Sequence, residues 1–107
     1  MSFPERNIRQ RGLVPSDKLA KLHVLVIGVG AIGRQVALQL ASLGVSRMSL
    51  MDHDQVAVEN LAVQGYWPDD LGQAKVQASG ALCQKIHPAL DVTEIPEALN
   101  DFLRATH

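Results

Sequence analysis

The sequence is poor in the features that mark several classes of protein. Its one cysteine, Cys83, permits neither an internal disulfide nor a cysteine-only zinc site. The longest uncharged apolar stretch, residues 24–33, is about half of the ~20 residues that a membrane-spanning helix needs, and the N-terminus lacks a signal-peptide pattern. These absences predict a cytoplasmic protein with no membrane partner.

An excess of charge of one sign is also missing. Ten basic residues stand against eleven acidic ones, so the net charge is −1, and no basic stripe is present to bind a phosphate backbone. Direct binding of nucleic acid is therefore not expected. The composition, 47% hydrophobic and 20% charged over 107 residues, is typical of one small globular domain.

The apolar patterning predicts an α/β fold, a Rossmann-like parallel sheet with flanking helices. Uninterrupted apolar residues at 22–27 predict a central strand covered on both faces. In the helix that follows, the spacing predicts a sheet-facing stripe and a glycine C-cap. The residues of this stripe are Ile32, Val36, Leu40 and Leu43, and the cap is Gly44.

The rest of the chain predicts a second strand at 47–51, an irregular polar segment at 54–65, a helix at 71–87, a third strand at 91–95 and a last helix from Pro96. Residues predicted to face the interior of the two helices are Val76, Ser79, Cys83 and Ile86, then Leu99, Phe102 and Leu103. We divide the chain into an arm with a short helix, 1–21, and a Rossmann-like region, 22–107. We expect this region to be the first half of a doubly wound fold and therefore incomplete.

Several side chains of reactive or aromatic type are not assigned to chemistry. Cys83 lies on the apolar stripe of its helix, which predicts a buried thiol without chemistry. Tyr66 and Trp67 precede that helix and are predicted to be lid or dimer contacts, and packing anchors rather than platforms for base stacking. The histidines show no paired metal-ligand spacing, so no metal site is predicted within this chain.

A glycine-rich turn follows the first predicted strand. Its sequence is Gly28-Val29-Gly30-Ala31-Ile32-Gly33, and such a turn lets backbone N–H groups approach phosphates at a helix N-terminus. Asp52 follows the second predicted strand at a spacing suited to accepting ribose hydroxyls. Taken alone, the turn and Asp52 predict an NAD(P)-dependent oxidoreductase.

A spaced set of residues after Asp52 is more specific. It comprises Asp52-His53-Asp54-Gln55-Val56, Asn60-Leu61, Gln64 and Gly72-Gln73-Ala74-Lys75-Val76, with Arg6-Asn7-Ile8-Arg9-Gln10 in the arm. From Arg6 to about Val92, the chain resembles the N-terminal half of the ubiquitin-activating-enzyme-like adenylyltransferases of the ThiF and MoeB type. The family pattern includes Asp-x-Asp-x-Val, Asn-Leu-x-Arg-Gln and Gly-x-x-Lys-Val.

The resemblance implies ATP-dependent adenylation of the C-terminal carboxylate of a ubiquitin-like or sulfur-carrier protein. It makes the Rossmann-like region, 22–107, the ATP-binding region. It places at the nucleotide Gly28, Gly30, Ala31, Gly33, Asp52, Asp54, Asn60, Gln64 and Lys75. Asp52 would hold the ribose, Asn60 and Lys75 the triphosphate. Arg9 would reach the nucleotide of a partner subunit, which implies a homodimer with Arg9 and Lys75 as catalytic residues. Mg²⁺ is implied, with its ligand outside this chain segment.

The chain departs from the family pattern at Val63, where the family has arginine. A charge-assisted hydrogen bond is worth roughly 1.5–3 kcal/mol, so its loss predicts slow or absent adenylation. We hypothesise that Arg34, directly after Gly33, partly compensates by pointing at the phosphates. The family's Mg²⁺-binding aspartate and zinc-binding cysteines lie beyond residue 107, so we favour the front part of a longer protein over a short relative.

Two other functions stay open from the sequence alone. An NAD(P)-dependent oxidoreductase would keep the glycine turn and Asp52 but has no use for Asn60, Lys75 or Arg9. A non-catalytic nucleotide-binding dimerisation module would fit the valine at position 63. The sequence also leaves the acceptor open among a sulfur carrier, a ubiquitin-like protein and a substrate of tRNA modification.

Overall fold

The computed structural model describes residues 16–19 and 21–106. In chain order the elements are α1 (Ser16–Leu19), β1 (His23–Ile27), α2 (Ala31–Leu43), β2 (Arg47–Met51), α3 (Asn60–Gln64), α4 (Lys75–Ile86), β3 (Asp91–Ile95) and α5 (Leu99–Thr106). A 3-10 turn at Pro68–Asp70 lies between α3 and α4. Most of the predicted arm, with Arg9, lies outside the described residues. None of the helices in the described ranges is long and apolar enough to cross a lipid bilayer.

The three strands form a parallel sheet with β2 in the middle. Ile27, Met51 and Ile95 are paired across the sheet, so all three strands end at the same level. Helices α2 and α4 connect the strands and pack on the sheet. The predicted α/β, Rossmann-like fold is confirmed, and the predicted bounds of β2 and β3 match the observed ones.

The core lies between one face of the sheet and helices α2 and α4. Its most buried side chains come from the centre of β2 and from both helices. They include Met48, Leu50, Ala37, Ala41, Val76 and Cys83. Burial of these apolar side chains supplies the main stabilisation of the unit.

Strand β1 has one buried and one open face. Val24 and Val26 pack against the core, whereas Leu25 and Ile27 are 50% and 53% exposed. The prediction that this strand is central and covered on both faces is wrong, because β1 lies at the edge of the sheet that the described residues form. An apolar run is the same whether one face or both are covered, so the sequence could not separate the two cases.

Helix α2 packs through its small residues. The predicted sheet-facing stripe is wrong for Ile32, which is 81% exposed, and for Val36, which is 42% exposed. Ala37 and Ala41 lie on the buried face instead, and their small side chains let the helix approach the sheet and α4 closely. The C-cap prediction is confirmed, because Gly44 has φ +97 and its N–H donates to the end of the helix.

Helix α4 keeps its predicted inner face but starts later. Val76, Ser79 and Cys83 are buried as predicted. The helix begins at Lys75 rather than residue 71, because the chain there forms a turn at Gly72, whose φ is +84. The segment at 54–65 is also less irregular than predicted, since it contains α3.

Helix α5 presents only part of its predicted inner face. Phe102 is half-buried, whereas Leu99 and Leu103 are 37% and 44% exposed. The prediction that both leucines face inward is therefore wrong within the described residues. Like Leu25 and Ile27, they are large apolar side chains that the described residues leave in contact with solvent.

Burial of the Cys83 thiol makes the free energy of unfolding depend on pH. Burial raises the pKa of its thiol to about 11 from an ordinary 9.0, and burial also raises the pKa of Tyr66. Both groups therefore lose their protons first in the unfolded chain, so stability is complete below about pH 9 and falls as pH rises towards 11. A shift of this size corresponds to about 2–3 kcal/mol.

We expect Cys83→Ala to flatten this decline in the free energy of unfolding, although it lowers stability at neutral pH by leaving a cavity. Urea denaturation of both chains between about pH 8 and 11 measures the two slopes. Parallel slopes would contradict the assignment of the decline to Cys83.

Candidate functional site

The turn between β1 and α2 forms the backbone of the site. Gly28 has φ +87, a left-handed conformation that favours glycine. Gly30 is the N-cap of α2, Ala31 is its first residue, and no side chain caps the helix. The N–H groups of its first turn therefore point to a place where an anion can bind. Gly33 faces the first residue of the turn, since a Cβ there would lie 1.7 Å from the carbonyl oxygen of Gly28.

Asp52 ties this turn to the end of β2. Its Oδ2 accepts a hydrogen bond from Val29 N–H at 2.9 Å, and its Oδ1 accepts one from Asp54 N–H at 2.8 Å. The carboxylate is half-buried, and each of its oxygens can accept a further bond. Asp52 therefore holds the glycine turn and still has acceptor capacity for a ligand hydroxyl.

A cavity of about 270 Å³ opens where the strands end. In open parallel sheets, ligands bind at this carboxyl edge. Among the residues that line the cavity are Gly28, Asp52, Asp54, Glu97, Ala98 and Leu99. The residues after β3 were missed by the sequence analysis, which assigned them to the start of the last helix. Their position directly after a third parallel strand was the signal that could have found them.

Lys75 is the first residue of α4 and is 5% exposed. Its Nζ lies 3.7 Å from Asp54 Oδ2, and its backbone N–H donates to the Asp54 carbonyl at 2.9 Å. The other carboxylate oxygen of Asp54 lies 3.2 Å from His53 Nε2. The Lys75 ammonium is thus held next to a cavity residue and paired with one exposed carboxylate.

Helix α3 contributes two amide side chains. Asn60 Oδ1 accepts from Ala57 N–H at 2.8 Å and so closes the turn that starts the helix. The Gln64 amide lies 3.8 Å from the place of a Cβ on Gly30, and its Oε1 is buried without a hydrogen-bond partner. Gln64 therefore lies over the glycine turn, whereas Asn60 uses its oxygen within its own loop. Val63 is 77% exposed.

Tyr66 and Arg34 form a buried contact that the sequence analysis missed. The Tyr66 hydroxyl donates to the Val29 carbonyl and lies 3.0 Å from Ser79 Oγ. The guanidinium carbon of Arg34 lies 4.6 Å from the centroid of the Tyr66 ring. Tyr66, at 4% exposure, is thus a packing anchor in the core, as one of the two predictions for it had it, rather than a lid or dimer contact. Trp67 is 66% exposed. Arg34 is 3% exposed, so the structure places it in the interior and not in the open phosphate region.

Three adjacent side chains at the cavity carry atoms of the kind that bind metals. Asp52, His53 and Asp54 each place one such atom within 4.8 Å of the others. Both Asp52 oxygens accept backbone hydrogen bonds, and the Asp54 oxygens face His53 and Lys75. Because these carboxylate oxygens already interact with other groups of the protein, we assign no metal to this cluster.

The sequence of this chain matches that of a known protein family. The sequence model of the ThiF family matches residues 5–106. The adenylyltransferase and sulfurtransferase MOCS3 of Arabidopsis thaliana is 38% identical over 84 residues, which cover 78% of this chain and 18% of that protein. SUMO-activating enzyme subunit 1 of Xenopus laevis is 33% identical over 97 residues, which cover 90% of this chain and 28% of that protein.

A solved structure agrees with the sequence comparisons. The crystal structure of E. coli MccB with ATP matches this chain with a TM-score of 0.77 and 32% sequence identity. The match covers 85% of this chain and 28% of that one. The chain thus spans less than a third of each of these three proteins.

Proposed function

Because this chain belongs to the ThiF family, we propose that it binds ATP for the adenylation of the C-terminal carboxylate of a ubiquitin-like or sulfur-carrier protein. The observation that carries the proposal is the convergence of the uncapped start of α2, Asp52 and the Lys75–Asp54 pair at one edge of the sheet. Support also comes from MOCS3, which is named an adenylyltransferase, and from MccB, which was crystallised with ATP.

Adenylation explains why these groups are needed together. A carboxylate oxygen forms a bond to the α-phosphorus, and the bond to the departing pyrophosphate breaks. Two anions must approach each other, so the site needs cations and N–H donors that are already in position. Lys75 supplies the cation and the first turn of α2 supplies the donors. In the proposal Asp52 holds the ribose, Asn60 joins Lys75 at the triphosphate through its side-chain NH₂, and Asp54 and Gln64 support the surrounding loop.

The Mg²⁺ ion that the proposal includes would neutralise charge on the phosphates. The cluster of Asp52, His53 and Asp54 is a poor fit for it, as shown above, so we propose that its ligand lies outside this segment. The residues to which the proposal gives a role then bind and orient the nucleotide. Some of them give up a contact within the protein in order to contact a phosphate. Lys75 does so when its ammonium leaves Asp54 for a phosphate oxygen.

We further propose a cytoplasmic homodimer in which Arg9 reaches the nucleotide site of the second subunit. The resemblance of Arg6-Asn7-Ile8-Arg9-Gln10 to the family pattern supports the role of Arg9. The exposed Ile32 and Val36 on α2 are suited to a protein contact. An NAD(P)-dependent oxidoreductase is not favoured, because the chain belongs to the ThiF family and its relative MOCS3 is named an adenylyltransferase.

A nucleotide titration tests the proposal. We expect Mg-ATP to raise the melting temperature, since a ligand at about 100 times its dissociation constant adds roughly 2.7 kcal/mol, and we expect NAD to leave it unchanged. Lys75→Met should weaken ATP binding about tenfold or more, because a charge-assisted contact is lost. Lys85→Met is the matched control, since Lys85 is exposed in the last turn of the same helix.

Two results would contradict the proposal. Stabilisation by NAD alone would favour the oxidoreductase, and unchanged ATP affinity in Lys75→Met would remove that residue from the site. Exchange of pyrophosphate into ATP in the presence of a carrier protein would then separate adenylation from binding alone. Nucleotide binding without exchange would favour the non-catalytic module.

A further inference from the structure

Arg34 is a buried cation that has no acidic partner among the described residues. Its side chain is 3% exposed, and neither ion pair between described side chains includes it. Its Nε is buried without a hydrogen-bond partner. The contact that the structure gives its guanidinium is with the face of Tyr66. Burying an uncompensated charge costs more free energy than one cation–π contact returns, so the charge needs a further partner.

The position of Arg34 indicates where that partner binds. Arg34 lies in the first turn of α2, where its N–H donates to the Gly30 carbonyl at 3.0 Å. Its Nη1 lies 3.3 Å from the place of a Cβ on Gly65, the residue that follows α3. The guanidinium is therefore held between the start of α2 and the end of α3, close to the glycine turn.

The two helices that hold Arg34 add positive potential and no acidic side chain, and the carboxylates near this turn are Asp52, bound to Val29 N–H, and Asp70, both of which act on Tyr66. The N-terminus of α2 is the positive end of its helix dipole, and its first turn contains no acidic residue. Helix α3, with the sequence Asn60-Leu61-Ala62-Val63-Gln64, contains no charged residue either. Two like contributions to the potential at one turn favour an anionic ligand there.

We infer that Arg34 makes this site selective for the phosphates of a nucleotide. The guanidinium of Arg34 lies on the ring of Tyr66 beneath the glycine turn. Its attraction for the phosphates is weakly screened there, because the dielectric constant inside the protein is low, and so it extends over several ångströms. Direct contact with the ligand is not required. The inference rests on the proposed function, since it takes a nucleotide site at this turn as given. Its consequence is tighter binding of ATP than of uncharged adenosine.

Calorimetric titration of the full chain with Mg-ATP and with adenosine tests the inference. Arg34→Met removes the charge and keeps most of the side-chain stem, so we expect ATP affinity to fall about tenfold and adenosine affinity to change less than about twofold. Arg34→Lys keeps the charge and should bind ATP within about threefold of the original chain. Arg104→Met removes an exposed arginine from α5 and serves as the control.

The outcomes separate this inference from the proposed function. Parallel losses of ATP and adenosine affinity in Arg34→Met would overturn the inference, because they indicate only a packing role. If Arg34→Met does not fold, Arg34→Lys decides: retained ATP selectivity supports the inference, and lost selectivity with retained adenosine binding overturns it. An original chain that binds neither ligand would overturn both the proposed function and the inference.

Discussion

Replacing Gly33 with alanine is expected to cause a large loss of stability and to abolish nucleotide binding. The added Cβ would lie 1.7 Å from the carbonyl oxygen of Gly28 and 2.8 Å from its carbonyl carbon. These are backbone atoms of a tethered residue, because Gly28 N–H donates to the Met51 carbonyl at 2.7 Å. Helix α2 must therefore move away from β1, and we expect a cost of about 3 kcal/mol or more.

The matched control is Gly30→Ala in the same turn. The three atoms nearest to a Cβ on Gly30 all belong to the Gln64 side chain, at the ordinary contact distance of 3.8 Å, and φ is −74. We therefore expect the Gly30 variant to keep its stability within about 1 kcal/mol. It should still weaken ATP binding, because its methyl group stands where phosphates approach the N-cap. Urea denaturation of both variants checks the contrast, and equal stability of the two would contradict the reading of Gly33 as a packing glycine.

The parts of the fold that the sequence predicted are those fixed by local pattern. Strands β2 and β3 have the predicted bounds, and Gly44 ends α2 as predicted. The errors concern which face of an element is covered. Ile32 and Val36 form a clear apolar stripe, yet the close packing of Ala37 and Ala41 determines how α2 faces the sheet. Large and small apolar residues compete for the same core, and a single sequence does not decide between them.

The candidate site was predictable to the extent that parallel strands bring their ends together. Asp52 and the glycine turn lie in adjacent loops for this reason, and Lys75 is brought to them through its contact with Asp54. The use of the Asn60 oxygen within its own turn was not readable from its spacing. Nor was the burial of Arg34 against Tyr66, because such a contact depends on how α2 and the segment after α3 pack together.

Asp52→Asn is expected to weaken binding of ATP and adenosine to the same degree, by about 30-fold or more, since a charged hydrogen bond and its geometry are lost together. The physical reason is that an amide has one oxygen, whereas the Asp52 carboxylate accepts from Val29 and Asp54 with two. One of these N–H groups would face an NH₂ group, so the glycine turn loses an anchor and the ribose loses its acceptor. We also expect the free energy of unfolding to fall by about 2 kcal/mol.

The equal effect on both ligands distinguishes Asp52 from Lys75 and Arg34, whose variants should weaken ATP binding alone. Asp70→Asn is the matched control, because Asp70 also accepts a backbone N–H, that of Trp67, at 2.8 Å, but does not line the cavity. It should lose less stability than Asp52→Asn, because the single oxygen of the amide can still accept the Trp67 N–H, and it should keep its nucleotide affinity. If Asp52→Asn kept adenosine affinity while losing stability, the carboxylate would only hold the turn, and the ribose would have to be bound by another part of the cavity. The residues after β3 would then be the next to test, since Glu97 supplies a further acidic side chain among those that line it.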